Sequence, residues 1–273
     1  MSACCDDLGR TEKPRGHGVT SLIDPGHPTG LFCDVIESHA PLIDMVKFGW
    51  GTSLVTKDIE RKAEVLRNSG IPFHVGGTLY ERFHVEGRID RYKDLVRRLG
   101  AQWVEISDGT IELDAAEKAR AIAALSKEFS VLSEVGYKDV ERSLSLSPKR
   151  WIEKIAADFG AGASYVILEA RESGTSGICR ENGEVRFGLI EEILDSGLDP
   201  KRVIFEAPNK KMQVYFVKRV GSNVNLGNVA FLDVIGVETL RRGLRADTFH
   251  VDSEAYRERP LEGLDLSSSR PLQ

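Results

Sequence analysis

The amino-acid sequence predicts a single (β/α)8 barrel of the TIM type. Short apolar runs of strand character alternate eight times with segments of helical spacing. Strands alternating with helices imply a parallel sheet with crossover helices. Eight such units between residues 18 and 249 fit the roughly 250 residues typical of the closed barrel. An open doubly wound sheet is the alternative. Against it, the first loop, Asp24-Pro25-Gly26-His27-Pro28-Thr29-Gly30, lacks the spacing of a dinucleotide fingerprint and carries two prolines.

The elements follow in order. Strand 1 covers Val19 to Asp24 and stops at a Pro-Gly turn; a short helix follows near Phe32 to Ala40. Strand 2 covers Ile43 to Phe48, and its helix runs from Lys57 to Asn68, closed by Gly70. Strand 3 covers Pro72 to Val75, with a helix from Ile89 to Leu99 closed by Gly100. Strand 4 covers Gln102 to Ser107, with a helix from Ala115 to Glu128; strand 5 covers Ser130 to Val135. Pro148 suits the first turn of the next helix, which runs to Phe159. Strand 6 covers Ser164 to Glu169, with a helix over Val185 to Asp195. Strand 7 covers Arg202 to Glu206, with a helix over Lys210 to Val220. Strand 8 covers Asn223 to Leu226, with a helix over Phe231 to Gly243. Polar tails, 1–17 and 250–273, rich in Ser, Gly, Pro and charge, are expected to be flexible or loosely docked.

Composition narrows the function. The chain has 273 residues, 41% of them hydrophobic and 29% charged, and a formal net charge of -5. That balance argues against general attraction to nucleic acid or an anionic membrane. No apolar run approaches the roughly 20 residues of a membrane helix. Cys4, Cys5, Cys33 and Cys179 have no zinc or redox spacing, as expected of reduced thiols in a cytoplasmic protein.

Side-chain parity locates the chemistry. Successive strand residues face opposite sides. Lys47 shares a face with Ile43 and Met45, Glu105 with Trp103 and Ser107, Glu169 with Tyr165, Ile167 and Arg171, and Glu206 with Ile204. The opposite face, Val46, Phe48, Val104, Ile106, Val166, Leu168, Val203 and Phe205, is wholly apolar and must meet the helices. The charged set must therefore point into the barrel at its C-terminal mouth, where active sites of this fold lie. The expected mouth holds Asp24, Lys47, Glu105, Ser107, Asp108, Glu134, Lys138, Glu169, Arg171, Glu206, Asn225 and Asn228. Asp24 either joins it or caps the Pro25-Gly26 turn.

Acids outnumber bases in this set, so a cation is expected to neutralise it. Oxygen donors favour Mg2+. The candidate ligands are Asp24, Glu105, Glu134, Glu169 and Glu206; Mg2+ takes one or two, and the rest pair with Lys47, Lys138 or Arg171. Gly76-Gly77-Thr78 after strand 3 and Gly227-Asn228 after strand 8 offer backbone N–H groups to an anion. Lys138, just beyond Glu134-Val135-Gly136, is placed to serve as a general acid.

The sequence also resembles the phosphosulfolactate synthase family. The matching segments are Lys47-Phe48-Gly49-Trp50-Gly51-Thr52-Ser53, Gly76-Gly77-Thr78-Leu79, Val104-Glu105-Ile106-Ser107-Asp108-Gly109 and Leu132-Ser133-Glu134-Val135-Gly136. They continue with Glu169-Ala170-Arg171-Glu172-Ser173-Gly174, Ile204-Phe205-Glu206-Ala207-Pro208 and Asn223-Val224-Asn225-Leu226-Gly227-Asn228. The resemblance covers nearly the whole core, and the family includes bacterial and plant heat-stress-associated members. It implies a (β/α)8 barrel, a homo-oligomer and Mg2+-dependent addition of sulfite to phosphoenolpyruvate, giving (2R)-phospho-3-sulfolactate. By that analogy Lys138 is the general acid. Lys47 is catalytic and, with Arg171, holds the anionic groups; Gly77, Thr78, Ser107, Asn225, Gly227 and Asn228 complete the substrate site. Another Mg2+-dependent lyase or aldolase, or a non-catalytic stress-associated protein on the same barrel, are the competing readings.

Overall fold

Strands this short, buried on both faces and rich in Val, Ile and Leu, are those of a parallel sheet wrapped by helices. In the computed structural model, which describes residues 9–171 and 173–251, they are β1 (Thr20–Asp24), β2 (Met45–Phe48), β3 (Phe73–Val75) and β4 (Trp103–Ile106). The others are β5 (Ser130–Val135), β6 (Tyr165–Leu168), β7 (Val203–Glu206) and β8 (Asn225–Ala230). All pair in parallel, in the order β3-β2-β1-β8-β7-β6-β5-β4. The edges β3 and β4 lie against each other, so the sheet forms a nearly closed (β/α)8 barrel. At its mouth the side chain of Glu105 spans this seam, accepting the Gly77 N–H at 2.7 Å.

The parity expected from the sequence is realised as two separate apolar clusters. Met45, Leu132, Ile167 and Ile204, with Trp103 and Tyr165, fill the barrel interior. Val46, Phe48, Val104, Ile106, Val166, Leu168, Val203 and Phe205 join the larger cluster between sheet and helices. Ile43, expected inside with Met45, belongs to that outer cluster because β2 begins only at Met45. The apolar interior layer leaves Lys47, Glu105, Glu134, Glu169 and Glu206, each two residues further along, at the mouth.

The helices are α1 (Thr29–His39), α2 (Ile59–Asn68), α3 (Gly77–Val85), α4 (Ile89–Leu99) and α5 (Ala115–Leu125). They continue with α6 (Val140–Ser145), α7 (Pro148–Ala161), α8 (Phe187–Asp195), α9 (Lys210–Val220) and α10 (Val234–Arg241). Their ends follow sequence chemistry. Ser147 caps α7 by accepting the Arg150 N–H, and Pro148 occupies its first turn. Gly100 ends α4 in the left-handed region, at φ 73°. Helices α3 and α6 have no counterpart in the sequence reading, which gives Gly76-Gly77-Thr78 only as N–H donors to an anion. Strand 8 lies further along the chain than expected, because Gly221 to Val224 form the turn that closes α9.

Residues 9–17, expected within a flexible tail, are docked across the amino-terminal end of the barrel. Arg10 meets Glu238 and Asn223, and Arg15 meets Asp44 at 2.9 Å. The remainder of the expected tails, residues 1–8 and 252–273, lies outside the described residues, as do Cys4, Cys5 and Glu172. Among the described residues, no helix is long and apolar enough to cross a membrane.

Candidate active site

The mouth is a small cavity lined by Lys47, Glu105, Glu134, Lys138, Glu169 and Glu206, with Ile23, Gly49, Trp50, Gly76, Gly77, Thr78 and Asn228 around them. Side chains of β1, β2, β4, β5, β7 and β8, with Glu169 just after β6, converge here. The strands are staggered: Glu105 lies opposite Leu132 and Glu134 opposite Ile167, so Glu134 and Glu169 each sit two residues beyond the partner of the preceding strand's glutamate.

Two ammonium groups divide the four glutamates. Lys47 Nζ lies 3.2 Å from Glu206 Oε1 and 3.4 Å from Glu105 Oε2. Lys138 Nζ donates to Glu134 Oε1 and Glu169 Oε2, both at 2.8 Å. Burial alone would lower both lysines, yet the paired carboxylates outweigh it and hold both above the ordinary lysine range. Burial pushes Glu105 up to about 7, with Lys47 opposing. Burial would also raise Glu134, but Lys138 and Lys47 reverse the direction and keep it below the usual carboxylate range. Glu169 moves the other way, raised by burial and then by Glu134 and Glu206. These opposed directions are those of two carboxyl groups sharing one site, where ionisation of one disfavours ionisation of the other.

The opposite directions make a stability test. Glu105 is protonated in the folded protein between the unfolded value near 4.5 and about 7, while the unfolded chain is ionised there. Its contribution is therefore present below the unfolded value and is lost as pH rises through about 7. Glu105→Gln is expected to abolish that loss. Its urea midpoint, relative to wild type, should improve between about pH 5 and about pH 8; a pH-independent difference would contradict the assignment.

Backbone strain gathers at the rim. Among the described residues, the non-glycine positions with positive φ are Trp50 (49°), Arg171 (63°) and Asn228 (52°), in the loops after β2, after β6 and within the end of β8. Close approach explains two glycines. A Cβ on Gly77 would lie 2.5 Å from Ser107 Cβ, and one on Gly136, at φ 122°, would lie 2.6 Å from Trp151 Cη2.

Not every expected residue reaches the mouth. Asp24 faces the helices: it accepts Lys62 Nζ at 2.6 Å and the Gly26 and His27 N–H groups, so it is the paired turn cap. The parity rule applied to β1 gives the same result, since Ile23 lines the cavity and Leu22 lies in the outer core. Asn225 sits at the amino-terminal end, bonded to Val19 N, Lys201 O and Val203 O. Asp108 is held behind the mouth by Lys118 and Lys154. The Arg171 side chain is exposed at the rim, with Nη1 3.5 Å from Lys138 O. Ser107 is fully buried and supports Glu134 rather than lining the cavity. Gly227 serves packing: a Cβ there would meet Ile204 Cγ2 at 2.9 Å. The sequence reading missed two residues beside the site, Trp50 and Glu81, and gives His74 only a peripheral role. His74 is buried with Nδ1 3.3 Å from Glu105 Oε2, and burial followed by Lys47 lowers it to about 3, so it is neutral. Its parity with the interior set was the available signal.

The donors suit a hard cation only in part of the set. Among the described residues, no three Asp, Glu, His or Cys side chains gather into a metal cage. Lys47 and Lys138 already offset much of the acidic excess. Glu105 Oε2 and Asn228 Oδ1, however, are buried oxygens with no hydrogen-bond partner, on residues that line the cavity. Both are oxygen donors of the kind Mg2+ takes.

Comparison with known proteins agrees with this geometry. Residues 8–247 match the family described as (2R)-phospho-3-sulfolactate synthase (ComA). The chain is 49% identical over 240 residues to the phosphosulfolactate synthase of Bacillus subtilis (strain 168), covering 88% of this chain and 95% of that one. It is 41% identical over 243 residues to the phosphosulfolactate synthase of Methanothermobacter thermautotrophicus, covering 88% and 94%. Its backbone is similar to that of 3-hexulose-6-phosphate synthase, with a TM-score of 0.51 at 14% identity over 84% of this chain and 99% of that one, a likeness of fold alone. With the family matched over almost the entire barrel, and the glutamates and lysines of the mouth inside the matched region, the chain belongs to the (2R)-phospho-3-sulfolactate synthase family.

Proposed function

We propose that the protein catalyses the addition of sulfite to phosphoenolpyruvate, forming (2R)-phospho-3-sulfolactate. The observation that carries this reading is the Lys138 ammonium held between Glu134 and Glu169 inside a cavity whose other wall carries Lys47. The sulfur lone pair attacks the methylene carbon, forming the C–S bond. The π electrons move toward the substrate carboxylate, giving an enediolate-like intermediate. Lys138 then delivers a proton to the carbon bearing the phosphate, and no bond to phosphate breaks. Its two carboxylate partners keep it protonated before the reaction, and the carbanionic carbon is a far stronger base than an amine. Because Lys138 is fixed by two hydrogen bonds, protonation comes from one face, which accounts for a single enantiomer.

Lys47 attracts the substrate's anionic groups and opposes the charge that builds on its carboxylate. Thr78 offers a hydroxyl at the start of α3, where a helix N-terminus favours an anion. Arg171, at the rim, draws the two anionic reactants toward the mouth. Glu105 and Asn228 would hold Mg2+, which when bound supplies positive charge for the substrate carboxylate.

The test is direct. Incubated with phosphoenolpyruvate, sulfite and Mg2+, the protein should consume phosphoenolpyruvate only when sulfite is present, and chelation of the metal should stop it. No sulfite-dependent loss in the presence of Mg2+ would overturn the reading.

A further inference from the structure

Helix α3 buries a carboxylate that the proposed chemistry does not use. Glu81 is 2% exposed. Its Oε1 accepts the Ser107 hydroxyl at 2.6 Å and the Gly109 N–H at 3.1 Å; Oε2 accepts the Thr110 and Ile111 N–H groups at 3.1 and 3.2 Å. Among the described residues, no lysine, arginine or histidine lies within ion-pair distance of it. Hydrogen bonds from one short loop thus hold a carboxylate whose burial would otherwise be costly.

Two branches of that network lead to Lys138. The Gly109 carbonyl accepts the Lys138 backbone N–H at 3.1 Å, fixing the main chain of the lysine. Ser107 Oγ lies 2.7 Å from Glu134 Oε1, the same oxygen that accepts Lys138 Nζ, fixing its ammonium end. Gly109 also packs beneath the ammonium: a Cβ there would come within 3.0 Å of Nζ. The Ser107 hydroxyl has one hydrogen and faces two carboxylates, so it couples Glu81 to Glu134 rather than merely filling space.

We propose that Glu81 is a positioning residue that sets the place of the Lys138 ammonium through Ser107 and the 109–111 loop, a role that rests on the reading of Lys138 as proton donor. A small displacement of a reacting group has a large cost in rate, on the order of 10²-fold for 1 Å. Loss of Glu81 should therefore act on kcat and leave substrate binding nearly intact.

The experiment compares wild type with Glu81→Gln and Ser107→Ala by steady-state kinetics and by amine acylation of Lys138, read by peptide mass spectrometry on the folded proteins. The expected result is a fall in kcat of about tenfold or more with KM within about threefold, together with faster acylation of Lys138. Unchanged kcat and unchanged acylation would overturn the proposal, as would a loss confined to KM. If Glu81→Gln does not fold, Ser107→Ala carries the same expectations. If wild type fails to consume phosphoenolpyruvate with sulfite, the functional reading falls. The acylation rate then decides the positioning role alone.

Discussion

Lys138→Ala is expected to lower kcat by about 10²- to 10⁴-fold, the range for removing a positioned general acid. KM for phosphoenolpyruvate should change much less, because Lys47 and Thr78 remain. Lys138→Arg keeps the charge but replaces a compact ammonium by a planar fork that cannot sit between Glu134 Oε1 and Glu169 Oε2 in the same way. It should fold and yet remain severely impaired. The variant also has a signature in stability. In wild type the depressed Glu134 contributes stability that is present above the unfolded value, near 4.5, and is lost as pH falls through its folded value. Without Lys138 that depression is largely gone, so the acid-side fall in the urea midpoint should be shallower in Lys138→Ala. Full activity in this variant would remove Lys138 from the mechanism.

Lys47→Met should have the largest effect on stability. Lys47 is the buried cation between Glu105 and Glu206, and removing one member of a buried ion pair costs roughly 3–5 kcal/mol because the partners stay behind unpaired. Urea denaturation near neutral pH measures it. Adding Glu206→Gln removes one of the stranded charges, and the double variant should recover part of the loss. A single variant as stable as wild type would show that the charge balance of the mouth is not what the distances imply.

The fold was legible because parity and punctuation agree. Glycines closing the helix before β4, prolines opening turns and period-two charge on the strands point to one topology, and Lys47, Glu105, Glu134, Glu169 and Glu206 followed from it. Asp24 and Asn225 were misplaced for different reasons. On β1, parity with the outward-facing Leu22 turns Asp24 toward Lys62 and away from the mouth. The start of β8 depends on where the turn after α9 ends, which local sequence does not determine. Glu81 was not legible as a site residue. Gly76-Gly77-Thr78 reads as a loop after strand 3, and only the folded barrel brings α3 over the loop after β4. Pairing at the mouth, Lys47 with Glu206 and Lys138 with Glu134 and Glu169, is likewise set by distances across the barrel, not along the chain.

The central claim is that this mouth joins sulfite to phosphoenolpyruvate and protonates the adduct from one face through Lys138. NMR of the reaction run in deuterium oxide tests it most directly. The account predicts one stereoisomer of phosphosulfolactate, carrying a single deuterium on the carbon that bears the phosphate, with no release of inorganic phosphate. A mixture of stereoisomers, or inorganic phosphate appearing with turnover, would contradict it.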